Sequence, residues 1–141
     1  MATILVVDDE AAIRNLILAV LEDEGYRAIG AASGVAALEL APTDPPDVVL
    51  LDLMMPVLDG RETLRRLRRL PVGTNVPVVI MSAAITAGTP VEGDHVAFLP
   101  KPFDLVALLD AVEAALARRT ESASRRVGES ARDDEAVDGR R

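Results

Sequence analysis

The amino-acid sequence predicts an α/β fold in which five parallel strands form a doubly wound sheet. Three observations carry this expectation. Five short runs, "TILVV" (3–7), "RAIGA" (27–31), "DVVLL" (47–51), "VPVVIMS" (76–82) and "HVAFLP" (95–100), are apolar for most of their length. The segments between them place apolar residues every three or four positions, the spacing of a helix face. The strongest runs are continuous rather than alternating, so both faces of each strand are buried.

The elements follow in order. After the first run, Ile13, Leu16, Ile17, Val20 and Leu21 mark an amphipathic helix that ends near Gly25. "RAIGA" is the weakest strand, and "GVAALELA" (34–41) is a short helix stopped by "PTDPPD". The third run leads into a loop, "MMPVLDG". There Asp59 and Glu62 have the spacing of a capping box, opening a helix that carries Leu64, Leu67 and Leu70. The last helix, over 104–119, sets Leu105, Leu108, Leu109, Val112 and Leu116 on one stripe. From residue 120 the pattern dissolves into "TESASRRVGESARDDEAVDGRR", too polar to offset its ordering entropy. The expectation is one domain over 1–119 and a disordered, charged tail over 120–141.

Composition narrows the function. The chain of 141 residues is long enough for a real core. Its only aromatic residues are Tyr26, Phe98 and Phe103, so that core is aliphatic. A net charge of −8 argues against direct DNA binding and against an anionic membrane surface. There is no cysteine, hence no disulfide and no thiolate metal site. "MATILVVDDE" lacks the basic start of a signal peptide, and no run approaches the ~18 apolar residues of a membrane span. A cytoplasmic protein is expected. Of fifteen basic residues, only position 101 is Lys.

The polar residues bordering the strands are the informative ones. The first strand ends in Asp8 and Asp9, the third in Asp52, the fourth in Ser82 and the fifth in Lys101. A parallel sheet collects all of these at one edge, where ligands bind in such folds. Two carboxylates about 4 Å apart repel by roughly 4 kcal/mol at an effective dielectric of 20. Three of them call for a cation, and their hard oxygens suit Mg²⁺. With an ammonium and a hydroxyl added, the set is suited to receiving a phosphoryl group. The plainer alternatives are helix capping for Asp8 and Asp9, and a solvated turn for Asp52.

"ILVVDDE", "VVLLDLMMPVLDG", "VIMSA" and "FLPKPF", in this order, resemble the receiver domain of two-component response regulators over roughly residues 2–118. The resemblance implies a flavodoxin-like sheet of strand order 2-1-3-4-5. It implies Asp52 as phosphoacceptor, with Asp9 binding Mg²⁺ directly, Asp8 binding through water, and the Met54 backbone carbonyl as a further ligand. Mn²⁺ is an alternative ion. Lys101 would hold a phosphoryl oxygen, and its bond to Pro102 would be cis. Ser82 takes the switch hydroxyl position and Phe98 the aromatic switch position, with core filling as the alternative for Phe98. The implied donors are a sensor histidine kinase or a histidine phosphotransfer protein, and an unknown downstream protein reads the result. The implied protomer is a monomer or a weak, phosphorylation-dependent dimer. It is no ordinary enzyme, beyond Mg²⁺-dependent self-phosphorylation and slow self-dephosphorylation.

The sequence departs from the family pattern in two places. Met54 and Ala84 stand where polar side chains orient the hydrolytic water, which predicts a slow loss of phosphate. Gly88, Pro90 and Gly93 make the helix before the fifth strand short or mobile. Asp59 is assigned to capping, His95 to a surface loop, and Arg61, Arg65, Arg66, Arg68 and Arg69 to a basic helix face. Three rival functions remain. A phosphatase of the haloacid-dehalogenase type would need a second Asp where Met54 stands. A nucleotide-binding fold would need glycines that "VVDDEAA" lacks. The third rival is a receiver-like module that binds partners without phosphorylation. A fragment of a larger regulator with an output domain is the alternative to a stand-alone receiver.

Overall fold

The computed structural model describes residues 1–83 and 95–119. The expectations about Ala84, about the helix before the fifth strand and about the tail over 120–141 lie outside the described residues.

The chain runs β1 (Thr3–Val7), α1 (Ala11–Asp23), β2 (Arg27–Ala31), α2 (Gly34–Thr43), β3 (Val48–Asp52) and α3 (Gly60–Arg69). A short 3₁₀ turn (Pro71–Gly73), β4 (Val78–Ser82) and β5 (Val96–Pro100) follow, and α4 covers residues 105–119. All four strand pairings are parallel and the order is β2-β1-β3-β4-β5, as expected.

Strand alternation divides the core in two. Leu5, Val7, Val49, Leu51, Val78 and Ile80 pack with Ala37 and Ala41 of α2 and with Leu64 and Leu67 of α3. On the other face Ile4, Val6, Val48, Leu50, Val79 and Met81 meet Ile17 and Leu21 of α1 and Leu108, Val112 and Ala115 of α4. Helices thus cover both faces, which is why the strands read as unbroken apolar runs.

Several boundaries move, each for a local reason. β3 begins at Val48 because Asp47 bonds elsewhere: its carboxylate accepts the Thr3 N–H at 2.7 Å, and its own N–H donates to the Thr3 carbonyl. β4 begins at Val78, since Pro77 has no N–H to give a ladder. β5 begins after His95, whose φ of 62° breaks the extended chain, and ends one residue before Lys101. α2 continues through Pro42 to Thr43, because a proline in the last turn removes only one helical bond. Leu70 is extended and ends α3.

Two residues assigned to buried stripes are exposed. Leu16 lies about 100° around α1 from Ile17. Leu105, in the first turn of α4, precedes the first buried position, Leu108.

Candidate functional site

Strand alternation and register build the site. Val7 pairs with Leu51, so the residues after them, Asp8 and Asp52, sit side by side at the carboxyl edge. Each lies two positions beyond a residue of the α1/α4 face, Val6 and Leu50, and projects from that side. Lys101 stands in the same relation to Leu99. Asp8 is fully buried and Asp52 is 5% exposed, while Asp9 is open to solvent.

The ammonium of Lys101 joins the two buried acids. Its Nζ donates to Asp8 Oδ2 at 2.9 Å and lies 3.7 Å from Asp52 Oδ2. The other carboxylate oxygens are used locally. Asp8 Oδ1 accepts the Glu10 N–H at 2.9 Å, and Asp52 Oδ1 accepts the Met54 N–H at 3.2 Å. Both are turns in which an aspartate bonds the backbone two residues on. The capping alternative for Asp8 therefore gives way, since the N-cap of α1 is Glu10, which makes no side-chain cap bond. Asp52 is not a solvated turn residue either.

Electrostatics follow from this crowding. Burial pushes the Asp52 carboxyl above its usual range; the Asp8 and Asp9 charges add to this, while Lys101 and the Met54 N–H oppose it. For Lys101 burial opposes the charge, yet the Asp8 hydrogen bond and the Asp52, Asp8 and Glu10 charges outweigh it and raise its pKa. It stays an ammonium. Asp8, Asp9 and Asp52 each offer an oxygen within 4.8 Å of the others. Three carboxylates and one ammonium sum to −2, the charge one divalent cation balances. A carboxylate retains lone pairs beyond the single bonds seen here, so these residues fit a hard, oxygen-seeking ion such as Mg²⁺.

The remaining expected residues are placed as follows. Ser82 is buried at the end of β4, and its carbonyl accepts the Lys101 N–H at 3.1 Å, which keeps the two adjacent. The Lys101–Pro102 bond is cis. Phe98 is 42% exposed, which corrects the core-filling alternative: on β5 it pairs with Ile80 but is not enclosed. The Met54 side chain is 65% exposed beside Asp52. Asp59 caps α3 by accepting the Glu62 N–H, but Glu62 turns to Arg65 and Arg66, so only half of the expected capping box forms. His95 belongs to no metal-competent group among the described residues. Arg68 departs from the basic helix face: it bonds the Gly73, Val76 and His95 carbonyls instead.

Two contributors escape the sequence reading. Gly60 lies so close to the end of β3 that a Cβ there would meet the Asp52 carbonyl oxygen at 2.5 Å. Arg14 of α1 donates from Nη1 to the Asp8 carbonyl oxygen at 2.8 Å. Nothing in the spacing of either residue signals these contacts.

Comparison with known proteins agrees with this geometry. Residues 4–113 match the response regulator receiver domain family. The response regulator MprA of Mycobacterium ulcerans is 40% identical over 138 residues, covering 96% of this chain and 54% of that protein. The chain thus spans about half the length of the curated relatives it matches. Among solved structures, the Vibrio cholerae chemotaxis protein CheY4 is 31% identical with a TM-score of 0.78, over 82% of this chain and 99% of that one. The receiver domain of the sensor histidine kinase PA1611 from Pseudomonas aeruginosa is 28% identical, with a TM-score of 0.74 over 82% and 98% of the two chains. That structure carries a magnesium ion coordinated in its active-site cleft.

Proposed function

The chain belongs to the response regulator receiver domain family, and from that premise we propose that Asp52 is its phosphoacceptor. The observation that carries the assignment is the ammonium of Lys101 set against Asp8 and Asp52 in a nearly closed carboxylate cluster. A carboxylate oxygen of Asp52 forms a bond to phosphorus as the bond from phosphorus to the donor imidazole nitrogen breaks. The electron pair stays on that nitrogen, and the product is an acyl phosphate. Asp52 needs no base, because it attacks as a carboxylate.

Asp9, Asp8 through water, Asp52 and the Met54 carbonyl would hold Mg²⁺ or Mn²⁺, which supplies charge neutralisation for the entering phosphoryl group. Lys101 donates to a phosphoryl oxygen, leaving Asp8 to do so. Ser82, tied to Lys101 through the backbone, offers its hydroxyl to another. Contacts made only in the phosphorylated state shift the conformational population, with Phe98 as the aromatic partner of that switch.

The phosphodonor is a sensor histidine kinase or a histidine phosphotransfer protein, and the protein acts in the cytoplasm on a downstream protein partner. The net charge of −8 favours such a partner over direct contact with DNA. Among the described residues no helix is long and apolar enough to cross a membrane.

The test is incubation with Mg²⁺ and acetyl phosphate, read by intact-protein mass. One added phosphoryl group, absent in Asp52→Asn, is the expected result. No gain from acetyl phosphate or from a phosphohistidine donor would point to an interaction module, and turnover of phosphate esters would point to a phosphatase.

A further inference from the structure

We propose that Arg14 is a positioning residue for the metal half of the site, an inference that rests on the Mg²⁺ reading above. Asp8 is held from several sides. Its carboxylate takes the Glu10 N–H and the Lys101 ammonium, and its own N–H donates to the Ala31 carbonyl. Asp9 has none of this. It is exposed and makes no side-chain hydrogen bond or ion pair among the described residues, so its carboxylate is aimed only by its backbone.

The peptide joining Asp8 to Asp9 is where Arg14 acts. Its Nη1 donates to the Asp8 carbonyl oxygen at 2.8 Å and fixes the plane of that peptide. The reach depends on β2. A Cβ at Gly30 would lie 3.3 Å from Arg14 Cδ and 3.0 Å from Leu18 Cδ1, so the bare glycine lets the arginine stem lie flat over the sheet. The guanidinium bonds the main-chain carbonyl of Asp8 and forms no ion pair with a carboxylate among the described residues. It therefore orders the acidic turn without occupying a carboxylate that a metal needs.

Charge and positioning predict opposite signs, and this makes the inference testable. Removing a cation near the acids should tighten Mg²⁺ binding if Arg14 acts only through its field. Loss of an outer contact that orients a ligand weakens binding, typically by 10–100-fold. Mg²⁺ titrations at fixed ionic strength, followed by the amide resonances of residues 8–10, decide between them. Arg14→Met should weaken Mg²⁺ binding roughly tenfold. Arg14→Lys, which keeps the charge and one donor, should fall between it and the parent. Gly30→Ala should also weaken binding with the arginine still present, because it lifts the stem.

Equal or tighter binding by a folded Arg14→Met protein overturns the proposal. If that variant does not fold, unchanged affinity in Gly30→Ala overturns it instead. Failure of the unaltered protein to bind Mg²⁺ at all is a separate result, and it would remove the metal reading itself.

Discussion

The ammonium of Lys101 lies 2.9 Å from the carboxylate of fully buried Asp8. This pair ties the carboxyl edges of β1 and β5 together, and Asp52 Oδ2 stands 3.7 Å from the same ammonium as an under-compensated third charge. Lys101→Met leaves two buried carboxylates facing each other. The expected loss is about 2 kcal/mol, below the roughly 3–5 kcal/mol of a sealed pair because water reaches part of the lysine. Asp52→Asn acts in the other direction, since it removes a charge that burial disfavours. Urea unfolding without metal should show the two midpoints moving oppositely, and added Mg²⁺ should restore most of the Lys101→Met loss.

Gly60 joins α3 to the end of β3. Its N–H donates to the Leu53 carbonyl at 3.0 Å, and a Cβ would meet Asp52 O at 2.5 Å and Leu53 Cα at 2.7 Å. These are backbone atoms that cannot rotate away. Gly60→Ala should cost about 3 kcal/mol, the upper end for overpacking, and should slow phosphorylation by acetyl phosphate. An unchanged unfolding midpoint would show that the loop yields freely.

Arg68 gathers the entrances of two strands. It donates to the Gly73 carbonyl at 2.9 Å and also to the Val76 and His95 carbonyls, ahead of β4 and β5. Arg68→Met keeps the stem but strands these acceptors, at an expected cost of about 2 kcal/mol. Arg69→Met, at an exposed position of the same helix, should change the midpoint by less than about 0.5 kcal/mol. Comparing the two variants by thermal unfolding separates the clamp from the exposed arginines.

Much of this architecture is legible in the sequence because parallel strands deliver their last residues to one edge. Asp8, Asp52, Ser82 and Lys101 could be grouped from the ends of apolar runs alone. The element ends were less legible, because single backbone partners decide them. Asp47 leaves β3 for Thr3, and Pro77 delays β4 for want of an N–H. Arg14, Arg68 and Gly60 depend on reach and clearance between elements, which periodicity does not encode. In the sequence, Arg68 is one of five arginines in a nine-residue stretch, and only the fold turns it inward.

Glu62 gives a pH-dependent contribution of known sign. Its hydrogen bonds to Arg65 and Arg66 hold its carboxyl below the usual range. A depressed folded-state pKa contributes stability that is present above the unfolded value of 4.5 and is lost as pH falls through the folded one. The effect is small and salt-sensitive at this exposed position. The melting temperatures of the parent and Glu62→Gln should therefore differ at neutral pH in low salt, and converge in acid or in high salt.

A long-lived phosphorylated state is the outcome expected from Met54, two residues beyond Asp52. Its N–H is fixed on Asp52 Oδ1, which orients the turn, while its thioether side chain stands 65% exposed at the mouth of the site. A thioether is too weak an acceptor to hold a water in line for attack on the acyl phosphate. Met54→Asn supplies a donor and an acceptor at that point. One well-placed hydrogen bond of about 1.4 kcal/mol in the transition state is worth tenfold in rate. Phosphorylated parent protein, freed of donor and held in Mg²⁺, should keep its phosphate for minutes or longer, and Met54→Asn should lose it roughly ten times faster. Loss within seconds from the parent, or equal lifetimes for both, would show that the side chain at position 54 does not set the rate.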